Sequence, residues 1–217
     1  EAVQALAIVG QMAGVGLVDR QHRPLAPYDS WLDTRCADIT AELGQRLGER
    51  ITATAGCPPT ISIGPKMAWW QRYEPRTCDD AASFVTAAGY VAGTAAGLRG
   101  DQAFIDPTYL HFTSVANGAA DDWDGELVTA VGLDQRLLPR IVASTDIVGH
   151  LTFDAAELFG LPRGLPIAAG CGDTAASALG AGVLDPGEAF DVAGTAAVFG
   201  ICRESYVSDP TTTLMIM

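Results

Sequence analysis

AAGCGDTAASALGAG, residues Ala168 to Gly182, is the stretch on which the reading of this chain turns. An apolar run enters a Gly-x-Gly turn and leaves it as small residues suited to a close-packed helix. Strand passing directly to helix is the unit of α/β proteins, whose open sheets bind ligands at the carboxyl ends of their strands. A carboxylate, Asp173, stands at the mouth of that helix.

Three readings compete for the turn. Gly170-Cys171-Gly172-Asp173-Thr174-Ala175 fits a loose G-x-G-x-x-A dinucleotide fingerprint, with Asp191 about twenty positions on. Against it, a helix start binds pyrophosphate through bare N–H groups and a positive dipole end, and Asp173 would put negative charge there. The second reading makes Asp173 a simple N-cap, a residue type favoured by roughly 1 kcal/mol over alanine. The third makes it a general base, kept ionised by the helix dipole and able to take a proton from an attacking hydroxyl. Cap and base are compatible. Cys171 has no evident His partner and reads as a packing residue.

A second glycine turn follows about twenty residues later, at Gly194-Thr195 within the strand pair "GEAFDVAGTAAVFGI". Backbone N–H groups and a hydroxyl in such a turn suit phosphate oxygens. No Walker-type G-x-x-x-x-G-K-[ST] pattern occurs, so nucleotide chemistry here needs another fold.

Outward from these turns, strands alternate with helices, which sets the class as α/β. "ALAIVG" (Ala5 to Gly10) and "GVGLVD" (Gly14 to Asp19) read as strands joined through "QMAG". A helix runs from about Thr34, with Ile39, Leu43 and Leu47 four apart, and closes by Gly56. Gly64-Pro65 opens another, on which Met67, Trp70 and Tyr73 share a buried face. "ASFVT" reads as strand and "AAGYVAGTAAG" as a small-residue helix. An Asp-capped helix carries Leu127, Val128 and Val131. "DIVGHLTF" is strand, "DAAELFGL" helix and "LPIAAG" buried strand.

The 217 residues, 48% hydrophobic, suffice for one large or two small domains. A net charge of −13 leaves no basic stripe for nucleic acid and disfavours an anionic membrane surface. No apolar run reaches transmembrane length, and no signal segment opens the chain. Five scattered cysteines read as reduced thiols in a cytoplasmic protein. His22, His111 and His150 lack metal-ligand spacing, so no metal site is expected. Both ends look cut, and the chain reads as a fragment.

"GCGDTAASALGAGVLDPGEAFDVAGTAAVFG" resembles the junction between the two domains of FGGY-family carbohydrate kinases. "AIVGQMAG", "GLVDRQHRPLAPYDSWLDTRC" and "LPRIVASTDIVGHLT" through "LFGLPRGLPIAAG" agree in order over nearly the whole chain. The pentulose kinases of the xylulokinase type look nearest. The resemblance implies an actin-like (ribonuclease H-like) fold. Residues 1–187 would form a sugar-binding domain lacking its first strands, and 188–217 the start of the nucleotide-binding domain.

The resemblance further implies ATP-dependent phosphorylation of a sugar hydroxyl, with a pentulose such as xylulose or ribulose as substrate and ATP and Mg²⁺ as cofactors. Asp173 matches the catalytic base. Gln11, Met12, Ala13, Asp33, Arg35 and Thr174 match sugar-contacting positions, and Gly194 and Thr195 the turn that meets ATP phosphates. Phosphoryl transfer needs such a base beside an oriented nucleophile, with donors around the moving group.

The chain departs from the family pattern in lacking the opening Asp-x-Gly-Thr turn and most of the nucleotide domain, so these residues alone are expected to be inactive. It also has Ala13 where xylulokinases carry His. A missing central strand would leave an unpaired edge, so self-association is expected and a homodimer fits the reading. The rivals are a catalytically degenerate sugar-binding homologue and a nicotinamide-dependent oxidoreductase.

Overall fold

Two strand-like runs that adjoin in sequence part company in space. In the computed structural model, which describes residues 2–193, 197–207, 209, 211 and 214–216, β1 (Leu6–Gly10) and β2 (Gly16–Val18) join different sheets. Then come α1 (Ala37–Ala55), α2 (Ile63–Tyr73), α3 (Pro75–Asp80), β3 (Ser83–Val85) and α4 (Ala87–Ala96). The middle of the chain holds β4 (Phe104–Ile105), β5 (Ala116–Asn117), β6 (Asp122–Trp123), α5 (Gly125–Val131) and β7 (Arg140–Ile141). Last are β8 (Ile147–His150), α6 (Phe153–Phe159), β9 (Pro166–Gly172), α7 (Asp173–Gly180), β10 (Ala189–Ala193) and β11 (Ala197–Ile201). A 3₁₀ segment spans Pro107–Phe112.

The sheet that carries the site has the order β1-β9-β8, with β9 central, parallel to β1 and antiparallel to β8. Ala7 pairs with Ala168 and Val9 with Cys171, so the single residue Ile8 faces both Ala169 and Gly170. That is a bulge, and it accounts for the first glycine of the Gly-x-Gly. Gly170 has φ +75°, and a Cβ there would lie 2.0 Å from the Ile8 carbonyl oxygen. β2 pairs with β3, β4 with β7, β5 with β6 and β10 with β11.

Helix α4 packs on this sheet because its face is built from Ala88, Gly89, Ala92, Gly93 and Ala95, all buried. Thr86 caps it by accepting the Gly89 N–H at 3.1 Å. A second, larger core lies under α1 and α2. Ile39, Leu43, Ile51 and Ala55 give α1 one apolar stripe, and Gly56 ends it at φ +84°. Asp124 caps α5 by accepting from Leu127 N at 2.8 Å.

Two expectations about these elements need correction. Met67 and Trp70 are core, but Tyr73 is exposed and donates its hydroxyl to Asp38 at 2.8 Å. Each step of three residues falls about 60° short of a full helical turn, so Tyr73 lies about 120° round α2 from Met67 and leaves the buried face. The strand expected over "LPIAAG" runs on to Gly172, so no loop separates β9 from α7.

Candidate active site

Where β9 ends, α7 begins at once, and this fixes what the Gly-x-Gly can do. Gly172 is the N-cap and Asp173 the first helical residue. The Asp173 carboxylate lies in the first turn and not at the cap position; its Oδ1 accepts the free helix N–H of its neighbour Thr174 at 2.7 Å. A cap needs β-region backbone at its own residue, and that geometry belongs to Gly172 (φ −67°, ψ 152°). The cap position is therefore Gly172, and Asp173 serves the helix start from within its first turn. Asp173 is exposed.

The dinucleotide fingerprint loses its donors in the same place. The Gly170 N–H donates to the Ser144 carbonyl at 3.0 Å, and the Gly172 N–H to Thr108 Oγ1 at 2.8 Å. Both glycine amides are consumed within the protein, so neither is left to cradle a pyrophosphate. Gly172 lacks a side chain for a packing reason: a Cβ there would lie 2.6 Å from Met12 Cγ. That contact seats the turn after β1 beside the residue preceding Asp173.

The turn is itself tied to the loop over residues 28–35. Gln11 Oε1 accepts the Trp31 N–H at 2.8 Å. The Lys66 ammonium, 2% exposed, donates to Ala13 O at 2.8 Å and Ser30 O at 2.7 Å. Burial pulls the Lys66 pKa down, opposed by Cys36, Asp33 and Asp29. Asp29, 4% exposed, accepts from Trp70 Nε1 at 2.6 Å and pairs with Arg35. Burial raises its pKa against those two partners.

Asp33 and Arg35 belong to this network. Asp33 takes the Arg35 Nε at 2.9 Å, and the guanidinium stacks on the Trp69 ring at 4.3 Å. The Arg35 side chain beside Asp33 holds that carboxyl below the usual range. Both side chains keep one another and Asp29 in place, with part of each open to solvent. Trp31 stands beside them, 59% exposed.

A second clamp comes from the 3₁₀ segment. The Tyr109 hydroxyl, buried, lies 3.1 Å from Gly10 O and 3.3 Å from Cys171 O, so one side chain ties the ends of β1 and β9. Burial pushes its pKa far up, which keeps it a donor. Cys171 is half-buried, its thiol also raised by burial.

Gln11, Met12, Ala13, Asp33, Arg35, Asp173 and Thr174 thus lie on two strand ends and the loop bonded to them. Gly194 and Thr195 lie outside the described residues. Among the described residues no group of three His, Cys, Asp or Glu side chains converges as a metal ligand set. Asp29, Lys66, Trp69, Asp106, Thr108 and Tyr109 were not singled out by the sequence. One signal was available: Lys66, the chain's sole lysine, sits in an apolar stretch of α2, "GPKMAWW".

Residues 1–180 match the model of the N-terminal domain of the FGGY family of carbohydrate kinases. The chain is 31% identical over 209 residues to the xylulose kinase of Escherichia coli (strain K12), covering 96% of this chain and 42% of that protein. It is 32% identical over 183 residues to the erythritol kinase of Brucella abortus (strain 2308), covering 82% and 34%. The solved xylulose kinase from Rhodospirillum rubrum superposes with TM-score 0.87 at 26% identity, covering 97% of this chain and 43% of that one. The chain therefore spans less than half the length of these relatives.

Proposed function

The chain belongs to the FGGY family of carbohydrate kinases, and from that premise we propose that it supplies the sugar-binding side of an ATP-dependent phosphotransfer to a sugar hydroxyl. In this reading Asp173 is the general base. The hydroxyl oxygen attacks the γ-phosphorus of ATP, the new O–P bond forms, the bond to the β-phosphate oxygen breaks, and ADP leaves. The hydroxyl proton passes to the Asp173 carboxylate and from there to solvent. Mg²⁺ bound to the ATP phosphates would supply charge neutralisation there.

The observation that carries the reading is the seating of Met12 against Gly172. It sets an exposed carboxylate at the carboxyl end of a parallel strand pair, within one residue of the turn expected to line the sugar pocket. Gln11, Met12, Ala13 and Thr174 form one wall in this proposal, and Asp33 and Arg35 the polar rim. The network through Lys66 and Asp29 supports that division, because it preorganises both parts without the sugar.

A pentulose such as xylulose or ribulose is the proposed substrate class, residues 1–187 the proposed sugar domain, and 188–217 the proposed start of the nucleotide domain. Gly194 and Thr195 are the proposed phosphate contacts. Five free cysteines fit the cytoplasm, where ATP is available. An ADP-release assay over ketopentoses, aldoses and polyols, run on the polypeptide the gene encodes, tests the proposal. Turnover on a ketopentose is expected. Sugar binding without ADP release would establish the degenerate reading instead.

A further inference from the structure

One buried carboxylate, Asp106, is linked to both glycines that precede Asp173. Asp106, 3% exposed, caps the Pro107–Phe112 segment, its Oδ1 accepting Thr108 N at 3.1 Å. The same oxygen accepts the Thr108 hydroxyl at 2.7 Å and the Ser144 hydroxyl at 3.1 Å. Each of those residues holds one glycine amide: Thr108 Oγ1 that of Gly172 at 2.8 Å, the Ser144 carbonyl that of Gly170 at 3.0 Å.

The direction of the chain follows from the donors. Asp106 can only accept when ionised, so the Thr108 proton points to it and the Thr108 lone pairs are left to face Gly172. Gly172 has no side chain by which to be held, since Met12 fills that space. Its backbone orientation, from which α7 departs, is fixed from its N–H side.

We propose that Asp106 and Thr108 are positioning residues, holding Gly172 so that the Asp173 carboxylate meets the reacting hydroxyl. This rests on the reading of Asp173 as base. The device touches neither sugar nor nucleotide. It acts through one amide, and an ångström of drift at a catalytic base is enough to cost up to about a hundredfold in rate.

The test uses the polypeptide the gene encodes, with Thr108→Val, Thr108→Ser and Asp173→Asn compared under saturating ATP. Val removes the acceptor while keeping the shape, and Ser keeps the acceptor. Thr108→Val is expected to lower kcat about ten- to a hundredfold with the sugar KM within about twofold, and Thr108→Ser to restore kcat to within about threefold. Unchanged kcat in Thr108→Val, beside an inactive Asp173→Asn, overturns the proposal and leaves the base reading standing. A parallel loss of melting temperature, kcat and sugar affinity, unrescued by Ser, reduces Thr108 to a structural residue and also overturns it. Turnover retained by Asp173→Asn removes the base reading, and this proposal with it.

Discussion

The buried ammonium of Lys66 donates to the carbonyl oxygen of Ala13 at 2.8 Å, and so fastens α2 to the turn that follows β1. Its second bond, to Ser30 O at 2.7 Å, brings the loop of Trp31, Asp33 and Arg35 to the same anchor. Lys66→Met would leave two carbonyls without a charged donor and free both pieces to drift. Bonds to a charged donor contribute about 1.5–3 kcal/mol each, so a stability loss of about 3 kcal/mol is expected. The sugar KM should rise about tenfold. Chemical denaturation and initial-rate kinetics measure the two effects, and a variant unchanged in both would contradict the anchoring role.

In the proposed pocket Ala13 contributes only a methyl group, at a position where the resemblance to xylulokinases would place an imidazole. Ala13→His adds a hydrogen-bonding ring. A sugar that can use it should gain kcat/KM by about tenfold over one that cannot, in keeping with about 1–3 kcal/mol for one pocket contact. Competing xylulose against ribulose and erythritol in an ADP-release assay would reveal the shift. Equal changes for all three would show that residue 13 does not face the sugar.

His111 is buried, and burial alone pulls its pKa from 6.5 to about 4. Between these values the unfolded chain binds a proton that the folded chain refuses, so stability is fully present above about pH 6.5 and declines as pH falls toward 4. Refusing that proton costs roughly 3 kcal/mol of stability at the lower end of this pH window. His22, lowered mainly by burial as well, adds to the slope. Melting temperatures at pH 7, 6 and 5 should fall more steeply for the native protein than for His111→Gln. Parallel curves would contradict the assignment.

Among the described residues β1 pairs only with β9, which leaves one backbone edge unpaired, and Val9 on its open face is 48% exposed. An unpaired, apolar parallel edge is a template for another chain. The 217 residues expressed alone should elute as dimers or larger species in size-exclusion chromatography with light scattering. A clean monomer with one cooperative melt would show that this edge is tolerated.

How far the sequence foretold these features depends on the range over which each is determined. The stripe Ile39, Leu43, Leu47 identified α1, because helical periodicity is local. That a helix opens at Asp173 was visible for the same reason, whereas the run of β9 on to Gly172 was not. Gly170 was misread as part of a turn. Its real cause is a bulge against Ile8, and register with a strand some 160 residues away leaves no trace in local pattern. The ties between Lys66 and Ala13, and between Asp106, Thr108 and Gly172, escaped likewise. The Lys66–Ala13 and Thr108–Gly172 bonds span 53 and 64 positions of the chain, so only the fold brings those residues into reach.

In the proposed reaction Asp173 accepts the proton of the attacking hydroxyl. The most direct measurement is single-turnover ADP release by Asp173→Asn in the polypeptide the gene encodes, with sugar affinity measured calorimetrically on the same sample. The account predicts a rate lowered at least a hundredfold and sugar binding within about threefold of the native value, because the carboxamide keeps the shape but cannot take the proton. Native-like turnover by Asp173→Asn would contradict it.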